Sequence, residues 1–310
     1  MALYPLLFRP IVKKKVWGSE TWSLSGYGDD QSEVKNGFLK DNLLSELLEV
    51  YMDDLVGSHV YDRFGNRFPL LFKFIDAQDD LSVQVHPSDE LAAQSGESGK
   101  TEMWYVTQAA NDASIIAGFI KDTDATQVEN SLHSNTVMDL LQVVNVKQGD
   151  VAYIPAGTVH ALRHGTQVAE IQQTSDVTYR LYDYNRPGLD GQLRPLHIAQ
   201  ALQALQYAAL PHPLTDYNRQ AFGRTTLVQD THFHTSVLRL TEPLECDYAA
   251  LDSFVVYMCT EGEAVIRSYT DEPTDDITLS AGDTMLIPAT LHDITVIPKI
   301  KTTILEVYVP

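Results

Sequence analysis

The sequence predicts a mainly β protein, a barrel or jelly roll built as two related β-domains with a few added helices. Three observations carry this. Short segments rich in β-branched and aromatic residues recur at close spacing, most densely from Thr235 to Val309, where SVLRL, SFVVYM, AVIRSY, DITLS, DTMLIP and KTTILEVYV follow one another. That spacing belongs to sandwiches and barrels rather than to doubly wound sheets. An internal repeat is the second. Gly149–Ala156 (GDVAYIPA) is echoed by Gly282–Ala289 (GDTMLIPA), and each copy is followed by a histidine, His160 and His292. In each, a Gly-Asp turn enters an apolar strand and a proline ends it at a sheet edge. The third is that helical periodicity is confined to separated segments, which argues against a bundle.

Taken in order, Asp41–Met52 predicts a helix with Leu43, Leu44, Leu47, Leu48 and Tyr51 on one face. Strands are expected at Leu70–Ile75 and, after the polar turn Asp76–Asp80, at Leu81–His86, then at Met103–Thr107, Asp150–Ile154 and Gln167–Gln172. A second helix is expected to begin at Thr126, where Thr126 and Glu129 make a capping box, and to continue through Val137–Val144. A third is expected from His197 to Leu210. The domains are placed at residues 1–230, with helical insertions, and 231–310.

The chain has 310 residues, 44% of them hydrophobic, enough for a full core. Its 22 Lys plus Arg against 42 Asp plus Glu leave a formal net charge of −20. Nucleic-acid binding needs a cationic footprint, and Lys13-Lys14-Lys15, the one basic run, reads as a solvated strand end. No apolar stretch approaches a membrane span, and the N-terminal charges follow the apolar residues, the reverse of a signal peptide. Two cysteines, Cys246 and Cys259, form no framework and no CxxC pair, so a cytoplasmic location is expected.

The stretch Leu81–Pro87 (LSVQVHP) is the most informative for chemistry. On a strand, Gln84 and His86 project from one face about 7 Å apart. Glu102 opens the next expected strand, and His160 closes the IPAGTVH element. Two imidazoles, a carboxylate and an amide oxygen suit a borderline divalent ion such as Zn2+, with a position left for water or substrate. The pair His232 and His234 has similar spacing but no glutamate to follow it, and reads as two ordinary histidines. The second repeat keeps Gly282, Pro288 and His292 without a QxH pair or a suitably placed Glu, so it is expected to lack the metal.

The successive motifs SVQVHPSDE, GKTEMWYV, GDVAYIPAGTVHAL and TYRLYDYNR resemble, in order, those of type I mannose-6-phosphate isomerases of the cupin superfamily, and most nearly the short bacterial branch. Trp17-Gly18-Ser19 and FKFIDA at Phe72–Ala77 add to the resemblance, which covers nearly the whole chain. It implies one zinc ion per chain, held by Gln84, His86, Glu102 and His160. It implies that Arg180 is the active-site arginine and that Ser82, Lys100, Asp176 and Arg186 line the substrate pocket. Longer members carry Pro where this chain has Thr101. The implied reaction interconverts mannose 6-phosphate and fructose 6-phosphate through an enediol, with Arg180 and Lys100 as catalytic groups. Glu170, Asp176, His164 and metal-bound water compete with Lys100 for the proton transfer. The expected partner is a small sugar phosphate, with no nucleic acid or membrane, for a monomer or homodimer. The alternatives are another metal-dependent cupin enzyme (a dioxygenase or a different sugar-phosphate isomerase) and a non-catalytic sugar-phosphate-binding cupin.

Overall fold

Alternating side chains make strands of the segments read as strands, and antiparallel pairing joins them. A computed structural model describes residues 3–269 and 275–310. The chain groups into two compact units, one of Met1–Ile11, Trp22–Lys73 and Asp216–Pro310, the other of Val12–Thr21 and Phe74–Thr215. The grouping is discontinuous, whereas the sequence reading draws one boundary at residue 230. Leu6–Leu7 pair with Met285–Leu286, which takes the N-terminal strand into the first-named unit.

That unit contains a sheet ordered Gly223–Gln229, His234–Leu240, Thr302–Tyr308, Val255–Glu261, Thr284–Ile287, Leu6–Arg9 and Glu33–Val34. A second sheet runs Leu244–Asp247, Asp293–Pro298, Glu263–Ser268 and Ile277–Ser280. Val255, Tyr257, Ile266, Leu279, Met285, Ile294 and Ile304 are buried in one core cluster.

The other unit has a five-stranded sheet ordered Leu141–Asn145, Ser114–Phe119, His160–Leu162, Val83–Val85 and Tyr179–Tyr182. Its companion sheet places Glu102–Ala109 between Val151–Ile154 and Thr166–Gln173. The strand Val83–Val85 shows why the site forms. Val83 and Val85 pack outward against Ile116, Phe119, Val128 and Leu205. A strand alternates its faces, so Ser82, Gln84 and His86 turn the other way.

The helices depart from expectation in instructive ways. The first runs Leu44–Val56, with Met52 at φ +46° interrupting its helical geometry. The second runs Ala125–His133, and its cap is Asp124, whose carboxylate accepts the Gln127 N–H at 2.8 Å, rather than Thr126. It does not continue: Val137–Leu140 is one 3-10 turn and Leu141–Asn145 is a strand paired with Ser114–Phe119. The branched pair Val143-Val144 fits a pleated surface better than a helix. The third covers Ile198–Ala204 only, ending where Leu205 turns extended. No helix among the described residues is long and apolar enough to cross a membrane.

Candidate metal centre

Three registers bring the candidate residues to one face. Gln84 lies opposite His160 on one side and opposite Arg180 on the other, so Arg180, Gln84 and His160 form a cross-strand row. Residues paired across antiparallel strands point to the same side of the sheet. His86 follows two residues after Gln84. Glu102 begins the Glu102–Ala109 strand, opposite Ile154 and Gln172.

The side chains converge. His160 Nε2 is 3.1 Å from His86 Nε2 and 3.4 Å from Glu102 Oε1, and His86 Nε2 is 3.4 Å from Glu102 Oε2. All three residues are buried, at 1% exposure or less. The imidazole tautomers follow from their partners. His86 Nδ1 donates to the Val177 carbonyl at 2.8 Å, and His160 Nδ1 donates to the Thr158 carbonyl at 2.8 Å. A carbonyl only accepts, so each Nε2 presents its lone pair to the other ring and to Glu102. Burial first, then the Lys100 ammonium, brings the His86 pKa down to about 3, and burial lowers that of His160. Burial pushes the Glu102 carboxyl up, but the Lys100 ammonium beside it holds it well below the usual carboxylate range.

Two neutral imidazoles and a carboxylate thus aim at one point, and neither Glu102 oxygen meets a well-aligned hydrogen-bond donor. Buried acceptors without donors are costly unless a cation satisfies them. Zinc bonds of about 2.0–2.2 Å in tetrahedral array separate neighbouring donors by about 3.3 Å. The observed separations of 3.1 to 3.4 Å match that spacing. His86, Glu102 and His160 therefore fit a divalent metal, and they are the group with metal-ligand spacing among the described residues.

Gln84 stands beside this trio. Its amide nitrogen faces His160 Nε2 at 3.4 Å and its oxygen accepts from Ser82 Oγ at 3.4 Å. A half-turn of the amide exchanges the two atoms. Lys100, 4% exposed, sets its Nζ 3.0 Å from Glu102 Oε2 and 3.1 Å from His86 Nε2. Arg180 donates to the Pro195 carbonyl at 2.8 Å and leaves its Nε buried without a partner. Burial, then the charge of Arg194, pulls its guanidinium below the ordinary value.

Arg186 donates to Asp183 at 3.0 Å and to Asp79 at 3.1 Å. Arg194 was not singled out from the sequence. It grips Asp183 with two bonds of 2.8 and 2.6 Å, and this buried carboxylate gathers two guanidiniums close to Arg180. The signal was present, since LRPLHI follows the TYRLYDYNR motif, but only the fold shows the pairing. Tyr184 and Asn185 help to make it by adopting left-handed φ values of +57° and +53°. Asp176 is exposed. His164 is clamped between Asp80 at 3.3 Å and Asp112 at 3.1 Å. Glu170 is buried and accepts from Trp104 Nε1 at 2.8 Å.

A family model described as phosphomannose isomerase type I, catalytic domain, matches residues 6–103. Mannose-6-phosphate isomerase ManA from Bacillus subtilis is 38% identical over 254 residues, spanning 75% of this chain and 78% of its own. This chain belongs to the type I mannose-6-phosphate isomerase family. A mannose-6-phosphate isomerase from Streptococcus mutans is 32% identical over 310 residues, covering 93% of each chain. The crystal structure of the Bacillus subtilis mannose 6-phosphate isomerase superposes with a TM-score of 0.84 at 31% identity, over 98% of this chain and 99% of that one. A phosphomannose isomerase variant from Salmonella typhimurium shares the fold, with a TM-score of 0.77 at 16% identity over 99% of both chains.

Within the isomerase fold the two repeats can be aligned by register. Ile154 pairs with Glu102, and the matching Ile287 pairs with Val255. Ala152 pairs with Trp104 and Met285 with Tyr257, while Trp104 and Tyr257 lie opposite Glu170 and Glu306. The second copy thus retains an aromatic residue opposite a buried glutamate but has valine where the first has Glu102. His292 is exposed, His232 pairs with Asp230 at 2.6 Å, and His234 stacks on Tyr308 at 4.7 Å.

Proposed function

We propose that this protein is a zinc-dependent aldose–ketose isomerase that interconverts mannose 6-phosphate and fructose 6-phosphate through an enediol. The observation that carries the reading is the buried Glu102 carboxylate, faced by two imidazole lone pairs in a chain of this isomerase family. His86, Glu102, His160 and, after its amide turns, Gln84 would hold the metal. Bound there, zinc supplies Lewis acidity toward the oxygens of an open-chain sugar.

The reaction moves one proton between C2 and C1, with negative charge growing on the neighbouring oxygen. Arg180, on the face shared with Gln84 and His160, offers a fixed positive charge to that oxygen in a region of low dielectric. Lys100 is the buried group assigned to handling the proton, and Ser82, 3% exposed, is assigned to a sugar hydroxyl. Arg186 and Arg194, held side by side on the Asp183 carboxylate, are assigned to the phosphate, which a guanidinium grips through parallel N–H bonds. Asp176, being exposed, is assigned to the rim of the pocket.

The division of labour is a catalytic part in residues 1–230 and a metal-free supporting part in 231–310, in keeping with Val255 at the register position of Glu102. A cytoplasmic location fits two buried cysteines that are both free. A monomer or homodimer is the assembly proposed.

A coupled assay of fructose 6-phosphate formed from mannose 6-phosphate tests the reading. Turnover is expected, with Arg180→Ala lowering kcat/KM by about 10²–10³, the range typical of a group that stabilises developing charge. Purified zinc-loaded protein that leaves mannose 6-phosphate unchanged contradicts the substrate assignment.

A further inference from the structure

Three of the metal-directed atoms in the site, His86 Nε2, Glu102 Oε2 and His160 Nε2, each have a side-chain nitrogen of this chain within 3.4 Å. Lys100 Nζ lies 3.1 Å from His86 Nε2 and 3.0 Å from Glu102 Oε2, and the Gln84 amide nitrogen lies 3.4 Å from His160 Nε2. His86 Nδ1 carries the ring proton, because it donates to the Val177 carbonyl at 2.8 Å. Its Nε2 therefore has one lone pair and two claimants, the ammonium and a metal ion. Glu102 faces a similar choice, since an ammonium at hydrogen-bond distance stands about where a cation's own coordination sphere begins.

Lys100 is held for this duty. Its backbone N–H donates to the Pro87 carbonyl at 3.1 Å, tying the segment before Glu102 to the residue after His86. Its side chain is 5% exposed, so the ammonium is sequestered with the carboxylate instead of sampling solvent. Without a cation of some kind, a buried Glu102 would stand uncompensated between two lone pairs, an arrangement costly to fold.

We infer that Lys100 is a tethered stand-in cation for the metal: its ammonium occupies the ligand atoms of Glu102 and His86 in the metal-free protein, and metal entry expels it from them. The inference rests on the metal reading of the site. It adds that metal affinity is set below what the ligands alone would give, and that loading the metal delivers a positive group toward the substrate. Gln84 makes the parallel move, exchanging its amide nitrogen for its oxygen.

The test is zinc affinity, measured by competition with a chromophoric chelator, for wild type, Lys100→Met and Lys100→Arg. Removing one charge-assisted contact to the ligands is expected to tighten zinc binding in Lys100→Met by at least about tenfold, while Lys100→Arg, which keeps the cation, shows no such gain. The melting temperature should agree: zinc raises it more in Lys100→Met than in wild type. If Lys100→Met does not fold, Lys100→Gln is measured in its place and read in the same way. Equal or weaker zinc binding in the neutral variant overturns the inference while leaving the metal site standing. If neither wild type nor variant takes up zinc, the metal site fails and the inference with it.

Discussion

At the scale of single residues, Glu102 and its neighbours decide what the protein can do. A buried carboxylate facing two neutral imidazoles is stable only with a cation beside it, which is why a metal and Lys100 both fit the same few ångströms. Glu102→Gln removes the charge while nearly preserving shape, and zinc binding is expected to fall by 10-fold or more, read by equilibrium dialysis; undiminished binding would mean that the carboxylate is not a ligand. Asp183 makes a different prediction. It is 5% exposed and holds Arg186 and Arg194 together, so Asp183→Asn should raise KM for mannose 6-phosphate by roughly tenfold with a smaller change in kcat. A fall in kcat with KM unchanged would place these arginines outside phosphate binding. Sequence alone picked out His86, Glu102 and His160 because order and strand alternation suffice for them. It passed over Arg194, because the pairing at Asp183 depends on two consecutive left-handed residues, Tyr184 and Asn185, that no periodicity announces.

At the scale of elements, the Gly-Asp turn, the apolar strand and the proline end recur in both units because each solves the same problem of entering and leaving a sheet. The first copy adds Gly157, at φ +87°, whose N–H donates to the His86 carbonyl at 2.8 Å. A side chain there would meet Gln206 Cγ at 2.7 Å and the Ala204 carbonyl at 3.0 Å. Gly157→Ala is therefore expected to destabilise the protein by about 1–3 kcal/mol in chemical denaturation, with weaker zinc retention because His160 lies just beyond. A variant as stable as wild type would show that the turn adapts. At the second helix, Asp124→Ala should cost about 1 kcal/mol, whereas Thr126→Ala should cost much less. The strands were legible because their apolar alternation is short and repeated. The helices were overextended because Leu, Val and Met at positions 137–144 satisfy a helical spacing equally well, and only the pairing of Leu141–Asn145 with Ser114–Phe119 decides between them.

At the scale of the whole molecule, the two related units differ by what register places at one position, Glu102 in one and Val255 in the other. The exchange removes the anionic ligand while the aromatic residue opposite a buried glutamate is kept, as Trp104 with Glu170 and Tyr257 with Glu306. A fold of this kind supports many chemistries, so the mainly β class was readable from composition and spacing while the reaction was readable only from the motifs around the site. The buried groups also set the response to acid. The folded-state pKa values of His86 and His160 lie below the ordinary histidine value, so the unfolded chain takes up more protons as pH falls through about 6.5. Their neutral forms thus contribute stability above that pH, lost as pH drops toward the folded value of about 3 for His86. Glu102, also depressed, acts in the same direction below its ordinary carboxylate value. His164, raised by its hydrogen bonds to Asp112 and Asp80, has the opposite sign but is largely exposed and screened. Metal-free protein should therefore have a lower denaturation midpoint at pH 5.5 than at pH 7.5, and an equal or higher midpoint at pH 5.5 would contradict this assignment of the buried groups.

The central claim is that a metal held by His86, Glu102 and His160 makes this chain a mannose-6-phosphate isomerase. The most direct measurement is the metal content of purified protein read together with conversion of mannose 6-phosphate, for wild type, chelator-treated wild type and His86→Ala. The expected result is about one zinc per chain with activity in the wild type, loss of both on chelation or in His86→Ala, and recovery of the chelated wild type on adding zinc. Full activity in protein shown to contain no metal would contradict the claim.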